Sequence, residues 1–189
     1  MIEHMTKWDN WFYAVFLLDP SHSQPEGPGT GLGEHIGSVS LRHQALGPEL
    51  PPPRTFEGAE EVGTGKPLGA DEFRKREEGL QDLELNLRVL GYALFEKFHG
   101  KGYVTEAIRG LIAGYEGAIE EWKACEGKLR DGKEVVFYVE AGVDQDNRGS
   151  QKVLRKLGFR TVGLKIEKEK TWLNGGWRGP GWWITGLYL

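Results

Sequence analysis

The order of apolar and polar positions along the chain predicts three strands before the first long helix. Residues 10–19 (NWFYAVFLLD) are aromatic and β-branched, and such a short run is typical of a buried strand. Residues 35–43 (HIGSVSLRH) predict a second strand that forms a hairpin with the first. In residues 83–97 (LELNLRVLGYALFEK), apolar residues at first alternate with polar ones, as they do in a half-buried strand.

The second half of the chain predicts two helices. Apolar residues recur at spacings of three and four from Val104 to Trp122, which indicates an amphipathic helix of roughly 20 residues with one buried face. Further on, Asp146 or Asn147 can cap a second helix, whose end is indicated by Gly158. Both helices are therefore expected to pack one apolar face against a sheet.

Three more strands complete the predicted fold. Residues 134–144 begin as an almost continuous apolar run and predict an interior strand between the two helices. Residues 159–168 and 182–189 predict two closing strands. This order of elements favours a single α/β domain with a mixed sheet.

Two segments predict irregular structure. Residues 20–34 are rich in proline and glycine and predict a loop within the first hairpin. Residues 44–81 carry many proline, glycine and charged residues without a sustained period. Such a length of structureless chain is uncommon inside a compact domain. We expect a mobile insertion at 44–81, with a short helical turn around residues 72–78.

Composition restricts the classes of function. The chain has 189 residues, a formal net charge of -4 and a pI of about 5.8, which gives no general electrostatic reason to bind nucleic acid or an anionic membrane. Cys125 is the one cysteine, so no internal disulfide is possible. The longest apolar run is far shorter than the roughly 20 residues that span a bilayer. A cytoplasmic or nuclear protein is expected.

The stretch FHGKGYVTEA, residues 98–107, is the main candidate for a functional site. It places Gly100, Lys101 and Gly102 between a predicted strand and a predicted helix. Glycine often occurs at such a corner only because the backbone needs an unusual φ there. Alternatively, the backbone N–H groups, the helix dipole and Lys101 together bind an anion such as a pyrophosphate. A nucleotide is one possible source of that pyrophosphate.

A second motif one strand later narrows the interpretation. Residues 97–102 match the spacing [Q/R]xxGxG/A, with lysine at the first position, and NRGS at 147–150 leads into VLRKLGF. Together these motifs resemble the GNAT superfamily of acyl-CoA N-acyltransferases, and closest its RimJ/RimL-like branch. The resemblance covers roughly residues 35–42 and 83–189. It implies a GNAT fold, with a mixed, mostly antiparallel sheet, splayed central strands and flanking helices.

The resemblance also implies where acetyl-CoA binds. Its pyrophosphate would lie on the N–H groups of residues 99–104, and its pantetheine arm would bond to the backbone of residues 94–96. Asn147 would reach the pantetheine, and Ser150 would stand near the sulfur as a catalytic hydroxyl. The implied binding residues are Leu94, Phe95, Glu96, His99, Gly100, Lys101, Gly102, Tyr103, Val104, Asn147 and Ser150.

The chemistry of acetyl transfer requires a neutral amine. A lysine amine with a pKa near 10.4 is only about one part in a thousand neutral at pH 7.4, so a general base is needed. Glu84, Glu96 and Glu140 lie on or beside the relevant strands, and the sequence does not choose among them. The five histidines are scattered without the spacing of metal ligands, so no metal site is expected.

Members of this family ordinarily begin with a strand and a helix pair, whereas this chain begins at about the hairpin. We therefore expect an N-terminally shortened domain with an intact CoA half, an open acceptor half and possible homodimerisation through the bare edge. The expected function is transfer of an acetyl group to a primary amine, either a small molecule or a protein N-terminus. The alternative is an inactive acyl-CoA-binding or interaction module.

Overall fold

The computed structural model describes residues 10–17, 33–126, 129–130, 132–173 and 176–189. The predicted loop at 20–34 lies almost entirely outside the described residues. The helices are α1 (Ala70–Gly79), α2 (Tyr103–Glu126) and α3 (Arg148–Lys156). The strands are β1 (Asn10–Leu17), β2 (Glu34–His43), β3 (Leu83–Leu94), β4 (Leu129–Arg130), β5 (Lys133–Asp144), β6 (Arg160–Lys165), β7 (Thr171–Leu173), β8 (Gly176–Arg178) and β9 (Trp182–Tyr188).

The described strands form one large mixed sheet and a small hairpin. The large sheet has the order β1-β2-β3-β5-β9-β6, with β4 paired to the start of β5, and β7 pairs with β8 in the hairpin. β3 and β5 run parallel, whereas the other pairs are antiparallel. The predicted α/β fold with a mixed, mostly antiparallel sheet is confirmed. The β7–β8 hairpin was not predicted.

Helices α2 and α3 cover one face of the sheet, which we call the helix face. The apolar positions of α2 recur as the sequence predicted, and they pack against β2, β3 and β5. The resulting core includes Val39, Leu41, Leu90, Ile108, Leu111, Ile112, Tyr115, Ile119, Phe137, Val139, Leu154 and Phe159. Packing of this stripe on the strands places the N-terminus of α2 beside the end of β3.

The capping of α3 follows its sequence closely. The side-chain oxygen of Asn147 accepts a hydrogen bond from the N–H of Ser150 at 3.0 Å, which satisfies one of the free donors of the first turn. Gly158 follows the helix with φ +87°, a left-handed conformation that glycine adopts without strain. Of the two predicted caps, Asn147 is the one observed.

The prediction that the first strand is buried is wrong. β1 lies at the edge of the sheet, where it pairs with β2. Its residues are exposed or half-buried, and the Phe12 side chain is 69% exposed. The aromatic composition of this segment indicated burial. An edge strand can, however, carry large apolar side chains that pack only partly.

Residues 44–81 cover part of the opposite face of the sheet, which we call the pocket face. Leu50 is buried against this face, and the Arg76 guanidinium donates a hydrogen bond to the Val162 carbonyl at 2.9 Å. Val62 is buried in the core of the helix face instead. The segment also contains the ten-residue helix α1. The expectation of a structureless insertion is therefore wrong, although the turn predicted at 72–78 falls within α1. The mobility of the segment stays a prediction.

Replacement of two leucines in this segment tests its packing. Leu50 is 8% exposed and contacts the cluster around Val162 and Ile184, whereas Leu46 is 93% exposed. We expect Leu50→Ala to lower the free energy of unfolding by about 2 kcal/mol, because it leaves a cavity. Leu46→Ala, the matched control, should change it by less than about 0.5 kcal/mol. Urea unfolding measures both, and equal effects would contradict the packing described above.

Candidate functional site

The central strands β3 and β5 separate part-way along their length. They pair in parallel from Leu83 with Glu134 as far as Val89 with Glu140. Beyond this point residues 90–94 pair with β2 and residues 141–144 pair with β9. The two strands therefore diverge, and we call the gap between residues 90–94 and 141–144 the β3–β5 opening.

The hydrogen bonds of β3 show which backbone groups face this opening. The Phe95 N–H donates to the Ile36 carbonyl at 3.0 Å, on the β2 side. Because residues alternate in direction along a strand, Leu90 and Tyr92 direct their backbone groups to the opening. The Phe95 N–H therefore already has a partner, and bonding of a pantetheine arm to the backbone of residues 94–96 stays a prediction.

The end of β3 leads directly into the predicted GKG corner. Gly100 has φ +75° and Gly102 has φ +90°, so both adopt a left-handed conformation that glycine tolerates. Helix α2 begins at Tyr103, and the Glu106 N–H donates to the Gly102 carbonyl at 3.1 Å. The first N–H groups of a helix have no partner within it. The backbone interpretation of the glycines is confirmed, and it is compatible with binding of an anion.

The space above the corner is open. A Cβ at Gly100 or Gly102 would meet no described atom within 4 Å. Lys101 is exposed, and its ammonium lies 5.6 Å from the ring centroid of Phe98, which is buried beneath it. His99 Nε2 lies 3.0 Å from the Leu94 carbonyl, so the ring ties the loop to the end of β3. The corner thus combines N–H donors, a cation and free space.

Asn147 and Ser150 lie across the opening from β3. The Tyr92 hydroxyl donates a long hydrogen bond of 3.5 Å to the Ser150 carbonyl. Because the oxygen of Asn147 caps α3, its amide N–H group is the part left to reach a ligand. Tyr92 was not predicted as a site residue, although strand alternation places it on the helix face with α3. Burial raises the pKa of its hydroxyl.

Glu140 marks the point where the strands separate. Its side chain is buried on the pocket face and accepts hydrogen bonds from the Glu49 N–H at 3.1 and 3.3 Å. Burial raises the pKa of the carboxyl group to about 7, and the nearby Glu49 carboxylate acts in the same direction. Glu84 is half-buried and Glu96 is exposed. The structure therefore separates Glu140 from the other two candidates.

A pocket of about 510 Å³ lies beside Glu140 on the pocket face. Its walls come from β1, β2, β3, β5, β6 and β9, together with the start of the 44–81 segment. The lining residues are Asn10, Arg42, His43, Gln44, Glu49, Val89, Glu140, Gly142, Lys165, Glu167, Trp182 and Ile184.

The described part of the chain contains neither a metal-binding cluster nor a membrane-spanning helix. Within those residues, no three His, Cys, Asp or Glu side chains are grouped in a way that would hold a metal ion. No helix among them has both the length and the apolar character needed to cross a membrane.

The raised pKa of Glu140 predicts a dependence of stability on pH. The folded chain binds this proton more tightly than the unfolded chain, whose carboxyl has the ordinary value of 4.5. The stabilisation from this group is therefore fully present below pH 4.5 and is lost as the pH rises to about 7. The free energy of unfolding falls by up to about 3 kcal/mol over this range. Glu140→Gln should remove this loss.

Urea unfolding at pH 5 and pH 8 measures the effect as a difference between wild type and variant. Glu134→Gln is the control, because Glu134 lies on the same strand but is exposed. An equal pH dependence in the wild type and in Glu140→Gln would contradict the assignment.

Comparison with known proteins gives one family and several similar structures. "Probable N-acetyltransferase YjcK" of Bacillus subtilis is 36% identical over 93 residues, which are 49% of this chain and 42% of that protein. Ribosomal-protein-S5-alanine acetyltransferase from Vibrio fischeri has a TM-score of 0.47 and 18% identity, over 99% of this chain and 66% of that one. Ribosomal-protein-alanine N-acetyltransferase from Brucella melitensis has a TM-score of 0.48 and 18% identity, over 100% of this chain and 74% of that one.

The chain thus spans less than half of the curated relative and about two thirds of the Vibrio structure. The family model described as "Acetyltransferase (GNAT) domain" matches residues 2–160, most of the chain. The two motifs, the mixed sheet and this match agree, and the chain belongs to the GNAT acetyltransferase family.

Proposed function

We propose that the protein is an N-acetyltransferase that moves an acetyl group from acetyl-CoA directly to a primary amine. The observation that carries the proposal is the β3–β5 opening, which has the GKG corner beyond one strand end and Glu140 at its base. In this proposal the corner supplies an anion site and Glu140 a proton acceptor for the same opening. Both are needed when a CoA thioester reacts with an amine.

The corner at the start of α2 fits the pyrophosphate of CoA. In this proposal the N–H groups of residues 100–104 donate to the phosphate oxygens, and Lys101 adds a positive charge. The His99 N–H already donates to the Glu96 carbonyl at 3.0 Å, so it is left out of this set. The backbone groups of Leu90 and Tyr92, with that of Leu94, face the pantetheine arm. The amide of Asn147 approaches the same arm from α3.

Glu140 is proposed as the general base. A carboxyl group with a pKa of about 7 is largely ionised at pH 7.4, and it holds a proton well enough to take one from an ammonium group. The neutral amine then attacks the thioester carbonyl, its nitrogen releases the surplus proton to water, and the carbon–sulfur bond breaks as the amide forms. The Ser150 hydroxyl donates a proton to the departing thiolate and recovers one from water. The nearby Tyr92 hydroxyl is a further donor at this end.

Charge removal at the corner tests the cofactor half. Lys101→Met should weaken acetyl-CoA binding about fivefold, the effect of roughly 1 kcal/mol from one exposed cation near phosphate. Replacement of Lys101 is preferable to replacement of the glycines, whose positive φ would strain any other residue. Calorimetric titration of the purified chain measures the affinity, with ATP as a second ligand.

Lys133→Met is the control, because Lys133 begins β5 at the end of the sheet away from the opening. Equal weakening in both variants would indicate a general charge effect and contradict the site. Tighter binding of ATP than of acetyl-CoA would favour a nucleotide-binding protein.

Removal of the base tests the acceptor half. Glu140→Gln should lower kcat at least a hundredfold, because the amide cannot accept the proton. Acetyl-CoA affinity should stay within twofold, since the amide oxygen of the substituted side chain can still accept from the Glu49 N–H. The wild-type rate should rise as the pH increases through about 7, and the rate of the variant should not show this rise. A thioester assay with a panel of small amines, diamines and peptides gives the rates.

Glu134→Gln, which removes an exposed carboxylate from the same strand, should keep wild-type turnover. Full activity of Glu140→Gln would disprove its role. Binding of acetyl-CoA without turnover of any amine would favour the inactive acyl-CoA-binding module.

A further inference from the structure

Three neighbouring strands bring a cation and an acid onto one row of the pocket face. Val89 pairs with Arg42 on β2 and with Glu140 on β5, so the three residues form a line across the sheet. Strands are spaced by nearly 5 Å, which places the Cα atoms of Arg42 and Glu140 about 10 Å apart. All three residues line the same pocket. The pocket therefore has a cation on one wall, an acid on another and an apolar residue between them.

The other charges of the pocket neutralise one another in part. The ammonium of Lys165 pairs with the carboxylates of Glu49 and Glu167. These three side chains together keep one net negative charge, and they lie on the Glu140 side of the pocket. Arg42 is exposed, and no described residue forms an ion pair with it. The pocket is therefore polarised, with negative charge near Glu140 and an available guanidinium on β2.

We infer that the acceptor is a primary amine that also carries an anionic group, such as the carboxylate of an amino acid. This inference rests on the proposed function and names the substrate class of its acceptor half. The amine lies at Glu140, the carboxylate forms a bidentate ion pair with Arg42, and the carbon chain crosses Val89. A diamine is disfavoured, because its second ammonium group would face the guanidinium.

Matched acceptors test this inference directly. The first pair is 4-aminobutyrate and 4-aminobutyramide, which differ only in the charged group. Wild-type kcat/KM should be at least tenfold higher for the carboxylate, the usual effect of a charge-assisted hydrogen bond. Arg42→Gln should remove this preference by lowering kcat/KM for the carboxylate alone, and Arg42→Lys should restore part of it.

Arg160→Gln is the matched control. Arg160 is an exposed arginine on β6, in line with Gly186 and outside the pocket lining. Its replacement removes the same charge from the same sheet and should keep the wild-type preference. Equal loss of preference in Arg42→Gln and Arg160→Gln, or a wild type that does not prefer the carboxylate, would overturn the inference.

A second pair of acceptors distinguishes free amino acids from peptide N-termini. Gly-Asp-Gly-amide and Gly-Asn-Gly-amide place the anion on the second residue of a peptide. Arg42-dependent preference for the aspartate peptide would identify an acidic protein N-terminus as the source of the anion. The same preference confined to 4-aminobutyrate would identify a small amino acid.

Binding measurements distinguish failure of the proposed acetyltransferase function from failure of the inferred acceptor class. Saturation-transfer NMR with CoA present detects 4-aminobutyrate on the chain whether or not it reacts. Arg42-dependent binding without turnover would overturn the acetyltransferase proposal and support the pocket assignment. Absence of both binding and preference would overturn the inference, even if neutral amines were acetylated.

Discussion

The divergence of β3 and β5 after Val89 and Glu140 is the constraint on which the rest of the site depends. Parallel strands that stay paired satisfy each other's backbone groups, whereas strands that separate leave donors and acceptors directed into the gap. Here each strand keeps an antiparallel neighbour on its outer side, so the sheet stays intact while its centre opens. The opening therefore supplies backbone hydrogen-bonding groups without loss of a strand.

The same divergence explains why Glu140 differs from the other acids of the chain. It lies at the last paired position, where the sheet is still closed and the 44–81 segment covers the strand. The carboxyl group is removed from water and keeps two contacts with one backbone N–H. Burial of an ionisable group destabilises the fold in its charged form. A stability cost at this position is typical of a group kept for chemistry.

The sequence predicted much of the proposed cofactor half. The spacing of apolar residues in α2, the cap at Asn147 and the two glycines of the corner were read from short stretches of chain, and the structure has all three. The proposed acceptor half was not predictable in this way. Three glutamates were equivalent in sequence, and Arg42 had no feature that distinguished it from other charged residues. The exposed position of β1 and the packing of residues 44–81 were also missed.

The sequence by itself therefore determined the main strands of the large sheet, helices α2 and α3, the cap at Asn147, the glycine corner and the family. These features depend on residues that are near one another along the chain, where periodicity and allowed φ values act. Only the tertiary structure decided that Arg42, Val89 and Glu140 form one row, and that the Glu49 N–H bonds to the Glu140 carboxyl at the end of that row. Strand register and burial arise from contacts between residues far apart in sequence, and no local pattern records them.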